Sequence, residues 1–181
     1  MKTNKQIDRD GQAATKIFDN RSLKMDYRTL EPLLKKGITV LDIGCGTGSI
    51  SKDIANTIGN TGTVIGLDTT EKFIKSGKES YKAVQNLDLI HCDLFEFETP
   101  QRFDLITATR TLQWLNNPKD ALIKMMSLLK PNGKISILDY NHTTIKWKPE
   151  PPLSMKEFYK TFLKWRSDAG MNNGIADDLP N

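Results

Sequence analysis

The chain has 181 residues, of which 38% are hydrophobic and 27% are charged, and its formal net charge is +4. This length and composition are typical of one ordinary globular domain. No apolar run approaches the roughly 20 residues that a membrane-spanning helix needs. The polar N-terminus MKTNKQIDRDGQ also lacks the apolar core of a secretory signal. We therefore expect a cytoplasmic protein with no membrane partner.

Cysteine spacing and charge distribution argue against two further classes of protein. Cys45 and Cys92 form no CxxC pair and lie near no histidine cluster, which predicts neither a metal site nor a disulfide framework. The segment up to Lys36 holds nine basic and five acidic residues, which accounts for the whole net charge. So mild a bias is more typical of a solvated helix face than of a nucleic-acid surface. We expect no nucleic-acid partner.

Hydrophobic patterns predict helices and strands that alternate along the chain. Helical spacing over 11–36 predicts two helices with a break near 20–22, and further helices are predicted at 49–58, 70–85 and 117–130. Asn117 is the expected N-cap of the last of these, with Pro118 at its first position. Strands are predicted at ITVLDI (38–43), TVIGLD (63–68), LDLIHCD (87–93), FDLITAT (103–109) and KISILDY (134–140), the last after the turn PNG (131–133). This alternation favours an α/β fold with a doubly wound parallel sheet and helices on both faces.

The pattern changes after Tyr140. The stretch IKWKPEPPL (145–153) holds three prolines and predicts an extended connector. A helix is then expected over 154–166, starting at a capping box of Ser154 and Glu157. Its apolar stripe, which we expect to be the buried face of a lid, consists of Met155, Phe158, Phe162 and Trp165. Within one structural domain we thus expect a helical cap (1–36), a ligand-binding core (37–140), and a connector with a lid helix (141–181).

The stretch VLDIGCGTGSIS (40–51) is the most informative motif. Its three glycines leave the backbone open to a ligand that a Cβ would exclude. A dinucleotide-binding turn needs a glycine at the position of Ser49. In addition, the carboxylate of Asp42, two residues before the first glycine, suits a cationic ligand better than a pyrophosphate.

This motif resembles the acid-x-G-x-G-x-G signature of class I S-adenosylmethionine-dependent methyltransferases, whose cofactor is a sulfonium. Further segments similar to that family follow in the same order. They are Asp68, HCDL (91–94), FDLITATRTLQWLNNP (103–118) and LLKPNGKISIL (128–138). The resemblance covers about residues 15–140 and implies a Rossmann-like sheet of order 3-2-1-4-5.

The resemblance also implies a set of cofactor contacts. Asp68 is expected to bind the ribose hydroxyls, Asp93 the adenine amino group, and Asp42 the methionine end. The full expected set for S-adenosylmethionine is Asp42, Gly44, Cys45, Gly46, Gly48, Asp68, Thr69, Cys92, Asp93, Leu94, Thr109 and Arg110.

The expected reaction is in-line transfer of the methyl group to a small molecule. This displacement requires alignment rather than a dedicated catalytic side chain, so no catalytic residue is predicted. His142 is a candidate base, although a solvated loop histidine is the preferred interpretation. Expected substrate contacts, by the same resemblance, are Phe18, Arg21, Gln113, Trp114, His142 and Trp147. The D/N-P-P-Y/F motif of amino-methylating DNA enzymes is absent after the fourth strand.

Two alternative functions remain open at this point. A nicotinamide-dependent oxidoreductase is disfavoured, because no tyrosine has a lysine four residues later. A non-catalytic S-adenosylmethionine-binding domain is the other alternative. The family's sheet has seven strands, and 171–181 is too short for the last two, so we expect a chain truncated after strand five. Its last strand would then be an apolar edge that can pair with another copy as a homo-oligomer.

Overall fold

Five strands form one all-parallel sheet in the computed structural model, which describes residues 18–179. The strand order is β3-β2-β1-β4-β5, which confirms the expected doubly wound topology. The strands are β1 (Thr39–Ile43), β2 (Thr63–Asp68), β3 (Leu87–His91), β4 (Phe103–Thr109) and β5 (Leu129–Leu138). The order reverses between β1 and β4, and ligands of open α/β sheets bind beyond the strand ends at that point.

Helices follow most of the strands, as the predicted alternation requires. The α-helices are α1 (Leu23–Asp26), α2 (Ser49–Ile58), α3 (Glu71–Ser80), α4 (Pro118–Ser127), α5 (Leu153–Asp168) and α6 (Ile175–Asp178). Two 3₁₀ helices cover Arg28–Leu33 and Leu112–Trp114. In the described part of the chain, no helix combines the length and the apolar character needed to cross a bilayer.

The central strands are buried on both faces, because their side chains point alternately to the two sides of the sheet and helices cover each side. Val40 and Leu105 join the core beneath α1 and α2, whereas Leu41 and Ile106 join the core beneath α4. Each of these four side chains is at most 2% exposed. The continuous apolar runs in the sequence therefore reflect two separate cores.

The N-terminal segment differs from the predicted pair of helices. Most of the first predicted helix lies outside the described residues, and the second is divided into α1 and a 3₁₀ helix. The Leu23 N–H donates to Asp53 of α2 over 2.9 Å. The Tyr27 hydroxyl, on a residue only 1% exposed, lies 2.8 Å from the Ser136 hydroxyl of β5. Tertiary contacts thus hold this segment across two neighbouring elements.

Strand β5 begins earlier than predicted. Helix α4 ends at Ser127, and the expected PNG turn lies inside β5. Leu129 pairs with Phe103, and Lys134 pairs with Leu105, so the intervening residues form a bulge opposite β4. The bulge contains the turn within a continuous pair of strands, which a local pattern of apolar residues cannot reveal.

Helix α5 also departs from its prediction. It begins at Leu153 with Pro152 as N-cap, so the expected capping box of Ser154 and Glu157 is wrong. The extended backbone of Pro152 already supplies the non-helical residue before the first turn. The predicted stripe is only partly buried, because Met155 is 43% and Phe158 65% exposed.

We expect Ile106→Ala to lower the free energy of unfolding by about 2–5 kcal/mol, because the isoleucine is fully buried and its loss leaves a cavity. Urea unfolding followed by circular dichroism measures the change. Ile123→Ala on α4 is the matched control, since Ile123 is 61% exposed. Equal losses for the two variants would contradict the assignment of Ile106 to the core.

Candidate functional site

The glycine turn between β1 and α2 is fixed by hydrogen bonds to the end of β2. The N–H groups of Gly44 and Cys45 donate to the Leu67 carbonyl over 2.8 and 2.9 Å. The Gly46 N–H donates to the Asp68 carboxylate over 2.8 Å. Gly44 has a φ of 69°, and a Cβ there would lie 2.3 Å from the Thr111 hydroxyl. Glycine is therefore required at this position by both backbone conformation and space.

Two carboxylates accompany this turn. Asp42 is 3% exposed and accepts a 2.5 Å hydrogen bond from Ser51. Burial, together with the nearby negative charge of Asp68, raises the pKa of Asp42 to about 7, although the Ser51 bond opposes this. The second oxygen of Asp68 accepts from the Thr70 N–H over 2.8 Å, which braces the start of α3. The turn thus lies beside a concentration of negative charge.

A cavity opens at the reversal point of the sheet. It is lined by Phe18, Arg21, Asp42, Gly44, Cys45, Ser49, Ile50 and Thr109. The structure therefore brings together six of the predicted site residues from three chain segments. Ser49 and Ile50 were missed, although their position directly after Gly48 places them in the first turn of α2.

Other predicted cofactor residues lie on neighbouring strand ends outside the cavity lining. Asp93 accepts from the Phe95 N–H over 2.8 Å and so braces its own turn after β3. The Cys92 N–H donates to the Asp68 carbonyl over 3.1 Å. Leu94 is 6% exposed, whereas Thr69 is exposed. These residues surround the carboxyl ends of β2 and β3.

Arg110 connects the end of β4 to the N-terminal segment. Its φ is 57°, an unusual value for a residue with a side chain. The guanidinium forms a 3.1 Å ion pair with Asp26 and lies 5.2 Å from the Tyr140 ring centroid. Its Nε and the neighbouring Thr109 hydroxyl are buried without a hydrogen-bond partner among the described residues.

Phe18 and Arg21 lie over the glycine turn. A Cβ on Gly46 would be 3.1 Å from the Phe18 ring, and Phe18 packs against Phe73 with ring centroids 4.8 Å apart. The Arg21 guanidinium is 4.5 Å from the Phe18 ring centroid. Burial and the positive charge of Arg110 lower the pKa of Arg21. The cavity is therefore covered by an aromatic ring with a cation stacked on it.

Four predicted substrate residues, Gln113, Trp114, His142 and Trp147, gather around α5. Together with Tyr159, Phe162 and Arg166 of that helix, we call them the histidine cluster. His142 is 8% exposed, so its interpretation as a solvated loop residue is wrong. The Tyr159 hydroxyl lies 2.8 Å from Nδ1 of His142, and the Gln113 side-chain oxygen lies against Nε2. The Trp147 and Tyr159 rings meet edge to face at 5.4 Å.

Tyr159 and Arg166 were not predicted from the sequence. Arg166 has no exposed surface, and its guanidinium donates to the Gln113 carbonyl and to Asn173, both over 2.7 Å. The guanidinium lies 4.8 Å from the Trp114 ring centroid. The two residues are seven apart and share one face of α5, and this spacing was the available signal. A polar residue on a buried face is easily taken for a solvated one.

Comparison with known proteins identifies the family of the chain. A family model described as a methyltransferase domain matches residues 34–177. The chain belongs to the methyltransferase domain family. This finding supports the resemblance seen in the sequence, and it disfavours the oxidoreductase alternative.

Relatives and solved structures agree with this assignment. Demethylmenaquinone methyltransferase of Staphylococcus aureus is 32% identical over 113 residues, which cover 62% of this chain and 47% of that protein. A methyltransferase structure from Aquifex aeolicus matches with a TM-score of 0.64 at 21% identity, over 88% of both chains. PKMT2 from Rickettsia typhi, in complex with AdoHcy, matches with a TM-score of 0.51 at 26% identity, over 56% of this chain and 20% of that one. The chain spans about half the length of the curated relatives it matches.

The raised pKa of Asp42 predicts a pH-dependent stability. A carboxyl whose folded pKa is about 7, against 3.8 unfolded, binds its proton more tightly when folded. Its contribution to the free energy of unfolding is therefore lost as the pH rises from about 4 to 7, at about 1.36 kcal/mol per unit of pKa difference. Asp139, with a pKa also raised to about 7 by burial, acts in the same direction.

We expect Asp42→Asn to flatten the fall in the free energy of unfolding between pH 5 and pH 8, while Asp139 preserves part of it. Urea unfolding at both pH values measures the difference. Asp88→Asn, at an exposed aspartate of β3, is the control and should follow the wild type. An unchanged slope in Asp42→Asn would show that Asp42 ionises normally in the folded protein.

Proposed function

We propose that this domain binds S-adenosylmethionine at the glycine turn and transfers its methyl group to a small-molecule acceptor. The observation that carries the proposal is the pairing of the Gly46 N–H with Asp68 beside a cavity lined by Gly44 and Asp42. Carboxylates beside open main chain suit a ligand that carries both a sulfonium and an α-ammonium group. The Thr109 hydroxyl is buried without a partner among the described residues, which destabilises the protein unless a ligand forms a hydrogen bond with it. A polar ligand in the cavity would supply that bond.

The residues present fit this cofactor, and each has a role in holding it. Asp68 would bind the ribose hydroxyls, since both its oxygens already accept hydrogen bonds from N–H groups and retain further lone pairs. Asp93, with Thr69, Cys92 and Leu94 around it, would bind the adenine. Asp42 would face the methionine end. The bound cofactor supplies a methyl group that is activated for displacement.

The protein's part in the reaction is alignment and exclusion of water. In-line displacement gains most from a nucleophile held at the correct distance and angle. Phe18 and Arg21 cover the cavity, and the ion pair between Arg110 and Asp26 ties this cover to the strand ends. We infer that these contacts enclose the reacting groups.

The comparisons support a small-molecule acceptor through the names of the relatives, and the cofactor through a bound AdoHcy. The curated relatives bear the name demethylmenaquinone methyltransferase, and the Rickettsia typhi structure holds AdoHcy. We propose a cytoplasmic protein that acts on a small organic molecule and not on nucleic acid. The substrate contacts proposed for that molecule are Phe18, Arg21 and the residues of the histidine cluster.

We expect Asp68→Asn to weaken the binding of S-adenosylhomocysteine at least tenfold, because hydrogen bonds to a charged acceptor contribute about 1.5–3 kcal/mol. Titration calorimetry measures the affinity, and a labelled-methyl assay on metabolite extract tests for transfer. Asp88→Asn is again the matched control and should bind as the wild type does. Equal affinity in Asp68→Asn, in a protein that keeps its circular dichroism spectrum, would argue against this site.

We also propose that β5 pairs with a second copy of the chain. It is an edge strand of the sheet, with several half-exposed residues along it. Unpaired N–H and C=O groups on an apolar edge favour association. Sedimentation should detect a dimer at micromolar concentration, and a monomer throughout would contradict the pairing.

A further inference from the structure

The histidine cluster contains a buried positive charge that the described protein does not neutralise. Arg166 is fully buried, and no carboxylate lies within ion-pair distance among residues 18–179. Its Nε and Nη2 have partners, whereas Nη1 has none in the same residues. Burial lowers the pKa of Arg166. The charges of Tyr159 and Asp139 act in the opposite direction, and the effect of Asp139 is the smaller of the two. A buried guanidinium with an unused donor is costly unless an anion reaches it.

The imidazole beside this charge is arranged as a base. The Gln113 side-chain oxygen is an acceptor only, so the hydrogen bond to it places a proton on Nε2 of His142. Nδ1 then carries the lone pair, and the Tyr159 hydroxyl donates to it over 2.8 Å. Burial and the charge of Arg166 lower the pKa of His142, so the ring is neutral at pH 7. A proton delivered to Tyr159 can therefore pass on to His142.

Aromatic side chains surround these polar groups. The Trp114 and Phe162 rings, 6.3 Å apart and both half-buried, flank the guanidinium at 4.8 and 5.6 Å. Phe162 also contacts the His142 ring edge to face at 6.2 Å. Aromatic rings next to these polar groups favour a flat, conjugated ligand over a small aliphatic one, because such a ligand can pack against them.

We propose that the histidine cluster binds a methyl acceptor that carries an acidic hydroxyl, a phenol or an enol, and ionises it. The acceptor O–H bond breaks, its proton moves to the Tyr159 oxygen, and the Tyr159 proton moves to Nδ1 of His142. The electron pair remains on the acceptor oxygen, where Nη1 of Arg166 stabilises it. The Gln113 oxygen stabilises the imidazolium through Nε2. Ionisation makes the acceptor a stronger nucleophile, and in this respect the inference rests on the proposed function.

The charged and titratable groups around His142 are few. Arg166 and Tyr159 approach from α5, and Asp139 and Tyr140 lie just before it on the chain. Asp139 accepts from the Leu112 N–H over 3.1 Å, and its pKa is raised to about 7. Burial thus favours its protonated form, which leaves the Arg166 charge only partly balanced.

The probe for the test is 4-nitrophenol, whose phenolate absorbs visible light. With the protein in excess and saturated with S-adenosylhomocysteine, we expect its titration midpoint to fall by about one pH unit, because a cation close to an acid favours ionisation. Arg166→Gln should restore the midpoint of the free probe. Lys160→Gln, which removes an exposed lysine from the same helix, should leave the shift intact.

The path of the proton is tested by nuclear magnetic resonance of the two histidines. Binding of 4-nitrophenol should raise the titration midpoint of His142, while the exposed His91 serves as an internal reference. Tyr159→Phe should abolish this change in His142 and keep the shift of the probe. If His142 does not respond in the wild type, the proposed proton path is wrong.

Calorimetry with S-adenosylhomocysteine separates the two proposals and checks the fold of each variant. If the wild-type protein does not bind S-adenosylhomocysteine, the proposed function itself is overturned. Intact cofactor binding without any shift of the wild-type probe midpoint would overturn only the acceptor site. A shift of the probe midpoint that persists in a folded Arg166→Gln variant would overturn the role of Arg166. If that variant does not fold, the shift measured with the wild-type protein decides whether the acceptor site exists.

Discussion

The hydrogen bond between the Gly46 N–H and the Asp68 carboxylate is the contact on which the architecture of the site depends. It joins the turn after β1 to the end of β2, and the N–H groups of Gly44 and Cys45 reinforce the same connection through Leu67. On the opposite side, the Thr111 hydroxyl donates to the Ile43 carbonyl over 3.0 Å. Three strand ends therefore hold one turn, whose glycines expose main chain with no side chains of their own.

The two groups of functional residues share one edge of the sheet. The cavity lies where the strand order reverses, between β1 and β4, while the histidine cluster forms beyond β4 and β5. The short segment from Arg110 to Trp114 belongs to both, since Arg110 pairs with Asp26 and Gln113 contacts His142. This connection follows from parallel pairing, which brings the carboxyl ends of all five strands to the same side.

Buried charge is the common property of these two regions. Asp42, Asp139 and Arg166 are each removed from solvent to a degree that shifts their pKa. Packing alone does not require any of the three, and burial of an ionisable group weakens the folded state. Such groups are frequent where a protein binds or ionises a ligand. The positions of the three charges therefore agree with the two proposals made for this edge of the sheet.

Much of the fold could be predicted, because its determinants are local. The strand positions, their parallel arrangement and the glycine turn each follow from short patterns, such as the continuous apolar run at β1. The strand order within the sheet was implied by the resemblance to the family. The position of α4 is confirmed by its N-cap Asn117, although its end is not. The predicted starts of β5 and α5 were wrong, because pairing with β4 and the backbone of Pro152 decide them.

The sequence by itself determined the order of strands and helices and the identity of the turn, since both depend on residues adjacent along the chain. Only the tertiary structure decided that His142 is buried against Gln113 and Tyr159. It alone also showed Arg166 enclosed beside Trp114 without a counter-ion among the described residues. His142 and Tyr159 are 17 residues apart, and Arg166 is 53 residues from Gln113, whose carbonyl it contacts. Burial and charge balance arise from contacts between distant segments, and no local pattern of residue types reports them.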